Sequence, residues 1–229
     1  MDHKRIAVLG LFRSGSTAVA GVLDHLGVDM GAPFYGGYYE SAWLSDQLRI
    51  WWDEPNLRET VAQPERVRIL KCWIEEREKA GARWVGMKHP LLSLCGEDLV
   101  EAWGPETCFI RCCRPLEESS ESLTKLGYRG DSRLLQQKLL TALDRFFAHR
   151  GHLQIHFSEF MRNPAGEVDR LIAYLGITPE REKIASALKF VQPGTHGKVE
   201  VERRAARTLG RRLRPKALIE ALRKNLRPR

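Results

Sequence analysis

Ile6-Ala7-Val8-Leu9-Gly10-Leu11-Phe12 runs directly into Arg13-Ser14-Gly15-Ser16-Thr17. The first seven residues form an unbroken apolar run, the pattern of a strand buried on both faces of a parallel sheet. The next five are polar and include a glycine, so they read as a tight turn. Val19, Val22, Leu23 and Leu26 then recur at helical spacing over 17–26, and Gly27 suits a helix stop. Strand, tight loop and helix in that order are the opening unit of an α/β fold.

The pattern continues outward from this unit. Residues 30–41 are rich in Gly and Tyr and read as a loop. Helices are expected at 42–52, 64–80, 94–103, 116–126, 131–149, 164–175 and 179–188. Short apolar or alternating runs predict strands at 83–87, 107–113 and 153–157. Strands separated by helices predict a three-layer α/β domain, with a central, mostly parallel sheet flanked by helices. Ligands of such sheets bind at the carboxyl ends of the strands. Segments 13–17, 88–90, 111–122 and 158–160 fall there. Residues 1–200 read as one domain.

The composition is 43% hydrophobic and 29% charged, that of an ordinary globular chain of 229 residues. Its net charge of +8 is unevenly spread. Residues 203–229 carry eleven Lys or Arg and one acid, Glu220, whereas residues 1–202 carry 26 basic and 28 acidic side chains. The segment 201–229 is therefore a strongly basic extension of a slightly acidic body. It is either a solvated amphipathic helix or a lure for a polyanionic acceptor. Five cysteines without regular spacing argue against a disulfide framework or a zinc site and predict a reducing compartment. No signal peptide and no transmembrane segment is visible, so a cytoplasmic location is expected. Most of the six tryptophans read as core, while the Tyr and Trp content of residues 30–55 suits an aromatic-lined cleft.

The turn at 13–17 has the chemistry of an anion cradle. Backbone amides at a helix start converge on negative charge, Gly15 permits close approach, Ser16 and Thr17 offer hydroxyls, and Arg13 adds a charged fork. It is not the triphosphate loop G-x-x-x-x-G-K-[ST], because Ser16 stands where that loop has lysine. Phe12-Arg13-Ser14-Gly15-Ser16-Thr17 resembles the 5′-phosphosulfate loop of the sulfotransferase family. A second segment, Arg111-Cys112-Cys113-Arg114-Pro115 followed by Ser122, resembles that family's 3′-phosphate site, with Arg114 and Ser122 at the two phosphate-binding positions. Phe157-Ser158-Glu159-Phe160 and Tyr174-Leu175-Gly176-Ile177 resemble later segments of the same family, the first with Phe157 in place of its usual tyrosine.

The resemblance spans about residues 6–196. It implies a P-loop-like fold and transfer of a sulfuryl group from 3′-phosphoadenosine 5′-phosphosulfate (PAPS) to a hydroxyl or amine, without a metal. It implies that Arg13, Ser14, Gly15, Ser16, Thr17, Arg114 and Ser122 hold the donor, and that His196 and Lys198 lie in a loop closing over it. Lys88 and Arg13 would stabilise the donor's developing charge. Two residues are candidates for the base that takes the acceptor's proton. Glu40, in Gly37-Tyr38-Tyr39-Glu40, resembles the carboxylate segment of some branches. His89, in Lys88-His89-Pro90, resembles a shortened Lys-Thr-His-x-Pro segment. Glu40 is preferred, because the segment around His89 departs further from its pattern. The acceptor is expected to be a small-molecule or polyanionic compound. Nucleic acid is not an expected partner, and the sequence does not set an oligomeric state. The competing readings are a nucleotide-dependent kinase and a nucleotide- or nucleic-acid-binding protein without activity.

Overall fold

The computed structural model describes residues 3–53 and 56–191. Four strands, β1 (Lys4–Gly10), β4 (Trp84–Lys88), β5 (Cys108–Cys113) and β6 (Leu153–His156), form one parallel sheet in the order β4-β1-β5-β6. Between them run α1 (Ser16–His25), α2 (Ala42–Trp51), α3 (Gln63–Lys79), α4 (Gly96–Trp103), α5 (Leu116–Lys125) and α6 (Ser132–Phe147). After β6 come α7 (Phe157–Arg162), α8 (Pro164–Leu175) and α9 (Arg181–Val191). A two-residue ribbon, β2 (Trp52–Asp53) with β3 (Arg58–Glu59), stands apart from the sheet.

The side-chain alternation of β1 explains the three layers. Ala7 and Leu9 enter a core made with α2, α3, α4 and α6, while Ile6 and Val8 enter a second core made with α1, α8 and α9. All four side chains are fully buried. Full burial of an aliphatic side chain stabilises by about 1.5–3 kcal/mol, so this strand anchors both faces of the sheet. Gly86 in β4 has no room for a side chain: an added Cβ would lie 2.5 Å from the Met30 sulfur.

Three expectations are corrected. The strand expected at 6–12 forms at Lys4–Gly10, because the Ser14 amide donates to the Leu11 carbonyl (3.2 Å) and turns the chain early. Phe157, expected at the end of a strand, opens helix α7. Most tryptophans are core, as expected, and those within 30–55 join them rather than lining a cleft. Trp43, Trp73 and Trp103 stack in a column with centroids 6.4 and 5.9 Å apart, and Trp51 and Trp52 are buried beside them.

One buried ion pair ties α3 to α4. Arg66 donates through Nε to Asp98 Oδ2 (2.6 Å) and through Nη1 to the Val61 carbonyl (2.6 Å), with its guanidinium over the Trp52 ring. Only 4% of Arg66 and 3% of Asp98 is exposed. No helix among the described residues is long and apolar enough to cross a membrane. The boundary expected near residue 200 and the basic segment 201–229 lie outside the described residues.

Candidate active site

The turn after β1 is held by side chains from two other elements. Ser93 accepts from the Gly10 amide (3.2 Å) and donates to the Gly10 carbonyl (3.1 Å). Gln136 of α6, fully buried, does the same for Phe12, accepting from its amide (3.0 Å) and donating to its carbonyl (2.7 Å). The chain then passes through Arg13 at φ 65° and Gly15 at φ 89°. The left-handed φ is costly at arginine and free at glycine. Gly15 is also sterically obligatory, since a Cβ there would sit 2.3 Å from the Phe157 ring. Helix α1 starts at Ser16, and its first amides precede any intrahelical partner and open toward the turn. Ser14 points inward: its hydroxyl is buried without a hydrogen-bond partner among the described residues, and its amide is spent on Leu11.

Two centres of positive charge flank this helix start. At the first, Arg13 donates through Nε to the Ser122 hydroxyl (3.0 Å), and Arg114 donates through Nη1 to the Arg13 carbonyl (3.1 Å). Arg114 lies over the Phe157 ring at 5.0 Å and also meets Glu118 (3.1 Å). Arg13, Arg114 and Ser122, far apart in sequence, are thus neighbours. At the second, Lys88 at the end of β4 donates to Glu40 (2.7 Å), Thr17 (3.2 Å) and the Tyr38 carbonyl (3.3 Å).

Glu40 and His89 share this second centre, but their hydrogen bonding differs. His89 Nδ1 accepts from the Leu91 amide (3.1 Å), so in the neutral ring the proton is on Nε2, which faces Glu40 Oε2 at 3.9 Å. The nitrogen that could take a proton from a substrate is therefore occupied, and the one facing the site is a donor. Burial raises the Glu40 carboxyl, but Lys88 foremost, helped by neighbouring charge, holds it below its ordinary value. Glu40 is thus the ionised member of the pair.

The His89 imidazole is pushed down to about 4 by burial. Glu40 opposes that shift, while Lys88 and Arg49 reinforce it. The unfolded chain therefore binds a proton that the folded chain refuses between the ordinary value near 6.5 and about 4. Stability gained from this site is complete above about pH 6.5, is lost as pH falls through that window, and levels off below it. His89→Gln, whose amide oxygen can still accept from Leu91, should flatten that part of the curve. Urea unfolding of both proteins across the window checks this. An identical pH slope in the two would mean that the folded ring is protonated.

These groups line one cavity of about 500 Å³, which also takes in Tyr35, Tyr38, Arg49 and Phe190. Of the residues expected at the site, Arg13, Gly15, Ser16, Thr17, Glu40, Lys88, His89 and Arg114 line it, and Ser122 reaches it through Arg13. Ser14 does not line it, and His196 and Lys198 lie outside the described residues. Gln136, Ser93, Phe157 and Arg49 have parts in it that the sequence reading did not assign. Gln136 carried a signal, a polar residue within the buried stripe Leu135, Leu139 and Leu143 of α6. Among the described residues no three His, Cys, Asp or Glu side chains converge as a metal site. Burial raises the Cys95 and Cys112 thiols, which leaves them inert packing groups.

No family model and no curated protein matches the chain. Solved structures do. The sulfotransferase domain of the olefin synthase of Synechococcus PCC 7002 superposes with a TM-score of 0.53 at 18% identity, over 86% of this chain and 85% of that one. A sulfotransferase of Mycobacterium tuberculosis gives 0.53 at 16% identity, over 89% and 76%. A sugar kinase of a Janibacter species gives 0.50 at 18% identity, over 77% and 96%. The architecture is thus the P-loop-like α/β fold found in sulfotransferases.

Proposed function

We propose that this chain is a sulfotransferase that moves a sulfuryl group from PAPS to a hydroxyl or amine on a second substrate. The observation that carries the reading is the pair of cationic centres on either side of one helix start, with a carboxylate built into the second. A donor with phosphate at one end and a reactive sulfuryl group at the other needs that layout. Arg114 and Ser122 would hold the 3′-phosphate, and Arg13, hydrogen-bonded to Ser122, would reach from there to the 5′-phosphosulfate. The first amides of α1, Thr17 and Lys88 would hold the 5′-phosphosulfate, whose sulfuryl group is what it supplies to the reaction. Gly15 lets the turn pass at φ 89° against the Phe157 ring, the conformation that presents the helix start.

Glu40 takes the proton of the acceptor as the acceptor oxygen bonds to sulfur and the bond from sulfur to the 5′-phosphate breaks. Lys88 bridges Glu40 and Thr17, and so would link the base to the group that holds the leaving oxygen. As negative charge grows on that oxygen, Lys88 stabilises it. Its hold on Glu40 weakens at the same time, so Glu40 becomes a stronger base when the proton must move. His89, with Nε2–H facing Glu40, orients the carboxylate. The reading takes residues 1–200 as the catalytic domain and 201–229 as its basic extension. It takes the chain to act in the cytoplasm, where five unpaired cysteines are at home.

Calorimetry with 3′-phosphoadenosine 5′-phosphate and adenosine diphosphate tests this. The first should bind much more tightly. Arg114→Ala should weaken it by about 10- to 100-fold, the worth of a hydrogen bond to a charged group, and should leave adenosine diphosphate nearly unaffected. Equal affinity of the wild-type protein for both nucleotides would overturn the reading. It would favour a nucleotide-dependent kinase, the alternative that the sugar kinase likeness supports. Equal losses for both nucleotides on Arg114→Ala would place that residue away from the 3′-phosphate.

A further inference from the structure

We propose that Tyr39 and Gly21 are positioning residues: the Tyr39 ring, seated on α1 at Gly21 beside Phe190, fixes where the Glu40 carboxylate stands relative to the start of that helix. The inference rests on the sulfuryl-transfer reading for the role of Glu40 and adds what holds it in place.

Glu40 comes from the loop between α1 and α2, and that loop is pinned to itself. The Tyr35 amide donates to the Glu40 carbonyl (2.7 Å), the Ala42 amide donates to the Pro33 carbonyl (2.9 Å), and Phe34 forms an antiparallel bridge with Ser41. Between these ties the chain enters the left-handed region twice, at Gly36 (φ 59°) and at Tyr39 (φ 53°). Glycine adopts that φ freely, whereas a tyrosine is strained there. The strain at Tyr39 is offset by what its ring touches. Tyr38 and Glu40 line the cavity and both accept from Lys88, one through its carbonyl and the other through its carboxylate. Tyr39, between them, instead packs against the core made with α1, α8 and α9. Its ring centre lies 5.0 Å from that of Phe34 and 5.5 Å from that of Phe190, the second contact edge-on.

Gly21 is the place on α1 that receives these rings. A Cβ there would lie 2.3 Å from the Phe190 ring and 3.0 Å from Cε2 of Tyr39. Glycine weakens a helix interior, so its presence in the second turn of α1 answers to the rings it admits. Gly21 is five residues on from Ser16, about 7.5 Å of helix rise from the amides that would hold the 5′-phosphosulfate. One rigid helix thus carries the donor at its start and the anchor of the base one turn further on. Misplacing a reacting group by about 1 Å can cost about 10²-fold in rate, so a common ruler for donor and base has a direct use.

The test needs no acceptor. The full chain, labelled with ¹³C at glutamate Cδ, is titrated by NMR, and the Glu40 signal is identified by its absence from Glu40→Gln. In the wild-type protein this carboxyl should titrate below its ordinary value of 4.5, since burial raises it but Lys88 foremost, with charge from His89 and Arg49, outweighs burial. Tyr39→Phe keeps the ring and should keep that titration. Tyr39→Gly accepts the backbone conformation but loses the ring, and Gly21→Ala drives the Phe190 ring from its seat against Tyr39. In both, the carboxylate should leave Lys88, and its titration should rise to the ordinary value or above it. Binding of 3′-phosphoadenosine 5′-phosphate, read by calorimetry, should stay at the wild-type level in all three variants, because the start of α1 is untouched. A packing role alone would lower Tm in Tyr39→Gly without moving the Glu40 titration. An unchanged titration in Tyr39→Gly or in Gly21→Ala, or a raised one in Tyr39→Phe, overturns the inference. So does a loss of bisphosphate affinity in Gly21→Ala, which would mean that α1 itself deforms. Should Gly21→Ala not fold, the two Tyr39 variants decide. If the bisphosphate does not bind the wild-type protein, the role of Glu40 as base fails with the sulfuryl-transfer reading, whereas the Glu40 titration, read on the free protein, fails only with the seat at Gly21.

Discussion

Glu40→Gln should lower turnover by about 10²- to 10⁴-fold at saturating donor, the usual contribution of a positioned general base. The amide keeps the size of the side chain and an oxygen that can accept from Lys88, so the 2.7 Å contact need not be lost. What disappears is the capacity to take a proton. Donor affinity, measured separately by calorimetry, should change far less than turnover. His89→Ala should act more mildly, since its Nδ1 is committed to the Leu91 amide and it has no free basic nitrogen facing Glu40. Near-normal turnover of Glu40→Gln, beside a crippled but donor-competent His89→Ala protein, would reverse these assignments.

Arg66→Ala is the substitution with the largest expected effect on stability. It strips Asp98 of its partner while leaving the carboxylate 3% exposed, and it also removes the Arg66 contacts to Glu59 and to the Trp52 ring. Removing one half of a buried pair costs about 3–5 kcal/mol, because the other charge stays out of water without compensation. For a chain of this size each kcal/mol shifts the midpoint by about 2–4 °C, so Tm should fall by about 6–20 °C. The position of Asp98 in the first turn of α4 offsets a small part of the loss. A double change, Arg66→Met with Asp98→Leu, should recover most of it, since an apolar pair carries no desolvation cost. A loss below about 1 kcal/mol for Arg66→Ala would show that water reaches Asp98.

Much of this fold is written locally. The run Ile6 to Leu9 can be satisfied only by burial on both faces, and its alternate residues do enter two separate cores. The glycine at 15 marks a place where backbone must come close to something, and the turn there is built as that residue requires. What local pattern does not hold, and the family resemblance only implied, are contacts between distant segments. Arg13 meeting Ser122 across 109 positions, and Lys88 meeting Glu40 across 48, follow from strand order, which no local pattern encodes. Trp43, Trp51 and Trp52 misled because a large ring looks alike in a core and in a cleft. Only contacts such as the stacking of Trp43 on Trp73 decide between them. Gln136 escaped because one polar residue in an apolar stripe reads as a blemish until the backbone it serves is in view.

That glutamine, with Ser93, has a consequence for timing. Beyond Gly10 the chain has left the sheet, yet the backbone groups of Gly10 and Phe12 remain paired. Ordering a backbone residue costs about 1–2 kcal/mol in lost freedom. Here that loss falls at folding, for the residues at the root of the turn, and is already met when a ligand arrives. On the proposed reading the turn is a finished mould rather than a hand that closes, so an incoming anion would meet its receptor at the rate of collision and not at the rate of loop ordering.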